Sequence, residues 1–115
     1  MRRFADHAEV NERNRMTCLR SLAVLDEWEG EATRALDRLR KAEALAEEMG
    51  LPGELWQIRS SIGELYERRG EAGEAQRAFS RAAQTLRDLA AKINDARLRE
   101  GFLAAPRVRR VLEHH

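Results

Sequence analysis

The sequence predicts an all-α fold, an α-solenoid of two helix–turn–helix hairpins closed by a C-terminal capping helix. Three observations predict it. Apolar residues recur at three- and four-residue steps over most of the chain. The apolar content is carried mainly by Ala and Leu, with aromatics at 5% and only Pro52 and Pro106 as strong helix breakers. Finally, Gly30 and Gly70 lie 40 residues apart and punctuate two stretches with matching content.

The first helix is expected from about Arg3 to Trp28. Its second half carries the stripe Met16, Leu19, Leu22, Ala23 and Leu25. Its first half has only Phe4, Ala5, Ala8 and Val10, helix-competent but short of apolar surface, so that it either frays or takes a partner. After Gly30 a second helix runs to Met49 on Ala32, Ala35, Leu36, Leu39, Ala42, Leu45 and Ala46. Gly50 suits a left-handed cap. A third, from about Gly53 to Arg69, carries Leu55, Ile58, Ile62, Leu65 and Tyr66. A fourth, from Ala72 to about Ile93, carries Ala75, Ala78, Phe79, Ala82, Leu86, Leu89 and Ala90. Asp95 can cap a short helix through Leu103, and Pro106 suits the first turn of a last one.

Laid on itself at an offset of 40, the chain pairs Leu22 with Ile62, Ala23 with Gly63, Ala35 with Ala75, Leu39 with Phe79 and Ala42 with Ala82. The second unit resembles the tetratricopeptide repeat, whose signature places a large residue, Leu-Gly, Tyr, then Ala and Phe at fixed spacings. Here these are Arg59, Ile62-Gly63, Tyr66, Ala75 and Phe79, with Ala82 three residues on. The resemblance implies that Gly63 and Ala75 let paired helices approach, that Tyr66 and Phe79 fill the flanking space, and that Gly70 permits the reversal. Arg59 replaces the family's tryptophan, and Asp26 stands in the first unit's tyrosine slot. The 40-residue spacing is longer than the family's period of about 34 and is more similar to the C-terminal arms of large bacterial regulators and ATPases. The implied organisation is one domain over 1–111: repeat one at about 16–50, repeat two at about 53–92 and a cap at about 95–111. Residues 112–115, "LEHH", read as an expression-tag remnant.

No catalytic or metal site is expected. His7 is the sole histidine outside the tag-like end and reads as a solvated surface residue. Cys18 reads as a small core residue with no second ligand in sight. "RRGEAGEA" lacks the lysine of a phosphate loop. A net charge of +1 gives no bulk attraction to nucleic acid, and "PRVRR" reads as a solvated tail. No apolar run is long enough for a membrane span, so a cytoplasmic chain without cofactors is expected.

What remains is binding. By the resemblance, the first helix of each pair would line a groove for a partner's peptide or helix, with Thr17, Arg20, Val24, Glu27 and Trp28 from one hairpin. From the other come Gln57, Ser60, Glu64, Glu67 and Arg68. Trp28 is the strongest anchor candidate. The expected function is that of a non-catalytic protein–protein interaction module, self-associating or docking within a longer chain. The competing reading is a fragment of a nucleic-acid-associated transcriptional regulator.

Overall fold

A computed structural model gives the architecture. It describes the backbone of residues 2–114 and the side chains of residues 13–113; His7 and the first half of the first helix's side chains lie outside that range. Six helices follow in order: α1 (Arg2–Trp28), α2 (Ala32–Met49), α3 (Pro52–Arg68), α4 (Ala72–Ala91), α5 (Ala96–Ala104) and α6 (Pro106–His114). There is no strand among the described residues. The chain divides into two compact units, Met1–Gly50 and Leu51–His115. In the first, α1 folds back on α2. In the second, α3 pairs with α4, and α5 and α6 pack with α4 and with each other.

The two hairpins are closed by the same backbone device. Gly30 and Gly70 adopt φ of 78° and 77°, the left-handed region where a Cβ would be penalised. In the first turn the Gly30 amide donates to the Glu27 carbonyl at 3.1 Å and the Glu31 amide to that of Asp26 at 2.7 Å. In the second, Gly70 donates to Glu67 at 3.0 Å and Glu71 to Tyr66 at 2.9 Å. These paired bonds satisfy carbonyls that a helix end otherwise leaves open. The next helix then starts without a side-chain cap, at Glu31 and Glu71 in nearly the same conformation. Gly50 also takes the left-handed form, at φ 66°. Asp95 caps α5, accepting from the amides of Arg97 and Leu98 at 2.8 and 3.3 Å.

Packing follows the same 40-residue register. Met16 and Trp56, Ala23 and Gly63, Asp26 and Tyr66, Ala35 and Ala75, Leu39 and Phe79, and Ala42 and Ala82 are buried in both hairpins. In the second hairpin the crossing is tight. A Cβ built on Gly63 would meet the Phe79 ring at 2.9 Å, so α3 and α4 approach through a position that only glycine fits. Arg59, standing where the resembled family has tryptophan, reaches across instead. Its guanidinium donates to the Thr85 hydroxyl at 2.9 Å, and that hydroxyl donates to the Arg81 carbonyl at 2.9 Å.

The first hairpin solves the same crossing with charge. Asp26, in the register position of Tyr66, is buried. Its Oδ2 lies 2.7 Å from Arg38 Nε, and its Oδ1 lies 3.9 Å from an Arg34 guanidinium nitrogen. Oδ2 accepts no aligned N–H, so the pairing is held by charge rather than by a directed hydrogen bond. A buried carboxylate tolerates this only while its counter-charge remains.

The stripe expected on α1 is only partly covered. Met16 and Ala23 are buried and Leu19 is half-buried, but Leu22 and Leu25 are exposed, at 39% and 56%. Cys18, expected in the core, is exposed as well. The reason is angular. With about 100° per residue, positions 18, 22 and 25 form a ridge roughly 140° around the helix from Met16 and Ala23, and only the latter side is buried.

Two substitutions test this packing. Gly63→Ala is expected to destabilise the fold by roughly 1–3 kcal/mol through overpacking against Phe79. Adding Phe79→Leu should reduce that penalty in a double-mutant cycle. Gly73→Ala, where a Cβ meets open space, should be neutral or slightly stabilising by chemical denaturation. Asp26→Ala is expected to cost about 1–3 kcal/mol, because half-buried Arg38 loses its counter-charge. An unchanged denaturation midpoint for Asp26→Ala would remove the ion pair from this account.

Candidate functional site

Two surfaces bring together residues that the sequence nominates, one in each unit. The first is on α1. Leu22, Val24, Leu25 and Trp28 fall within two turns and are all exposed, Trp28 at 85%. Leu98 is the one other large apolar residue so exposed among the described residues. Isolated apolar residues on a surface need no explanation, but these four share one short stretch of helix. The surface arises because the α1 sequence spreads apolar residues over more of its circumference than one partner helix can cover. Thr17 is exposed beside it, while Arg20 and Glu27 are half-buried at its edge.

The second surface is a small cleft of about 40 Å³ on the Leu51–His115 unit. Ser60, Glu64 and Glu67 line it from α3, and Arg107 and Arg110 from α6. Trp56, Phe79 and Val111 form its apolar part. Carboxylates from one helix and guanidinium groups from another therefore share one rim. Of the other lining candidates on α3, Gln57 turns back on its own helix and donates to the Gly53 carbonyl at 3.2 Å. Arg68 pairs with Glu64 at 3.9 Å along the helix surface.

Sequence reasoning set α6 within the expected cap at about 95–111 but missed the packing of its valines. "PRVRR" reads as a solvated tail, yet Val108 and Val111 are buried in a cluster with Trp56, Ala82, Ala83 and Leu86. Phe102, Leu103, Ala105 and Leu112 pack against the same cluster. The signal was present, since 108, 111 and 112 stand at the three- and four-residue steps of an amphipathic helix. It was hidden by brevity and by the tag-like reading of Leu112. Among the α6 arginines, Arg109 pairs with Glu113 at 3.7 Å along the helix. Arg107 and Arg110 share their rim with Glu64 and Glu67, so the basic segment adjoins acidic groups.

Among the described residues no group of three or more His, Cys, Asp or Glu is placed to hold a metal ion. No described helix is long and apolar enough to cross a membrane. Comparison with known protein families, with characterised proteins and with solved structures finds no match for this chain.

The two tryptophans and the lone cysteine make these exposures measurable. In dilute solution Cys18 should react with one equivalent of a thiol reagent without denaturant. Removal of Trp28 by Trp28→Phe should leave only a blue-shifted, poorly quenched emission from Trp56, which is 7% exposed. A Cys18 that reacts only after unfolding would place α1 differently.

Proposed function

We propose that this chain is a non-catalytic protein–protein interaction module built from tetratricopeptide-like hairpins. The observation that carries the reading is the exposed apolar face of α1, with Leu22, Val24, Leu25 and Trp28 together on a helix whose other side is already packed. Two further features support the tetratricopeptide-like part. Both turns repeat the same left-handed glycine and the same pair of backbone hydrogen bonds at a 40-residue offset. The second hairpin also crosses at a glycine against an aromatic ring, Gly63 on Phe79. An α-solenoid stack of such hairpins, with α5 and α6 closing the C-terminal end, is the architecture this favours.

In this reading Trp28 is the anchor. It offers a large rigid side chain with low ordering cost, and tryptophan dominates binding energy at many interfaces. Val24 lies about one turn and Thr17 about three turns before Trp28 on the same side of the helix. The partner is a protein or peptide segment presenting an apolar side chain to that face.

The test is affinity capture with the full chain as bait, run beside Trp28→Ala. A protein retained by the wild-type chain and lost with Trp28→Ala is expected. Retention that ignores Trp28, or no specific retention at all, contradicts the reading.

A further inference from the structure

Positions Arg15, Cys18, Leu22, Leu25 and Glu29 recur at steps of three and four residues and form one ridge of α1. All five are exposed. Glu29 lies one residue past the helix, but its amide still donates to the Leu25 carbonyl at 3.0 Å, so it continues the helical path. Forty residues on, Leu55, Ile58, Ile62 and Leu65 hold the register of the first four, and all are buried. One hairpin has this ridge covered, whereas the other leaves it open with an apolar centre.

We propose that the α1 ridge is a dimerisation surface whose occupant is the same ridge of a second copy of this chain, packed antiparallel. Charge order selects this occupant. The ridge is basic at Arg15, apolar at Cys18, Leu22 and Leu25, and acidic at Glu29. Reversed end for end, it is its own complement. The register that sets Arg15 of one copy against Glu29 of the other is centred midway between them, at Leu22, so Leu22 meets Leu22. Leu25 then meets the half-buried Leu19 of the other copy. Arg15 and Glu29 each stand seven residues, or about 10 Å, from the centre. A parallel pairing would instead set Arg15 beside Arg15 and align the two helix dipoles, both unfavourable. An isologous contact of this kind closes on itself and stops at two copies.

The inference rests on the interaction-module reading and takes the Leu22–Leu25 side of the same exposed face, away from its anchor at Trp28. Trp28 lies roughly 100° around the helix from the ridge's centre line, so a partner held at Trp28 and a second copy held at Leu22 are separable.

The experiment is sedimentation equilibrium of the full chain over a wide concentration range. A monomer–dimer equilibrium is expected, with Leu22→Asp weakening it on the order of tenfold or more while helicity stays unchanged. Arg15→Glu and Glu29→Arg should each weaken the dimer, and the double exchange should restore it. Restoration is something a general loss of folding would not produce. With Cys18→Ser in place, Leu22→Cys should cross-link two copies on mild oxidation. Trp28→Ala should leave the dimer intact. A monomer at every concentration, growth beyond two copies, or a double exchange no better than the single ones overturns the proposal. A monomer that still captures a partner through Trp28 overturns the dimer alone. A dimer with no Trp28-dependent partner overturns only the reading beneath it.

Discussion

The hairpins depend on one constraint, which is that the chain must reverse within a few residues while leaving two long helices in close contact. A left-handed glycine makes the reversal, and Gly30 and Gly70 share it almost degree for degree. The reversal alone would not hold the helices together. It brings a fixed set of positions to the crossing, where a small residue on one helix, Ala or Gly, makes room for a large one such as Phe79 on the other. Tight turn and small crossing residues act as a pair: without the first the helices splay, and without the second they cannot close.

Within that frame the hairpins diverge in chemistry. At one register position the first places Asp26 and the second Tyr66. Tyrosine fills its space with ring atoms, whereas the shorter aspartate is answered by the guanidinium charge of Arg38 at 2.7 Å and of Arg34 at 3.9 Å. Arg59 gives the second hairpin a polar bond across its crossing, through Thr85, beside an apolar core that includes the fully buried Ile58 and Leu86. Each such side chain contributes roughly 1.5–3 kcal/mol by burial. Among the described residues the first hairpin has fewer large buried ones, and its ridge at Cys18, Leu22 and Leu25 is exposed.

Much of this was legible in the residues. The helix ends, the left-handed glycines, the Asp95 cap and the pairing at an offset of 40 follow from local rules about backbone freedom and spacing. Leu22, Leu25 and Cys18 show where those rules stop. Periodicity says that a helix has an apolar face, but not how wide an arc its neighbour covers. The stripe is therefore visible in the sequence, and its half-covered state is not. The docking of α6 escaped for a related reason. Two valines set among arginines give this nine-residue helix an apolar edge but do not say what covers it, and only Trp56 and Leu86 from elsewhere in the chain make Val108 and Val111 core. The α3 candidates Ser60, Glu64 and Glu67 do meet in one cleft, yet the arginines across it come from α6, a helix that Pro106 announces but whose docking the sequence does not.

Close helix crossing, permitted by a missing side chain, builds the second hairpin. It can be read directly from proton–proton nuclear Overhauser contacts at the Gly63–Phe79 crossing. A strong cross-peak between the Gly63 α-protons and the Phe79 ring protons, with a ring-current shift of one α-proton, is the predicted result. Gly63 α-protons at ordinary helical shifts, with no contact to that ring, would contradict the account.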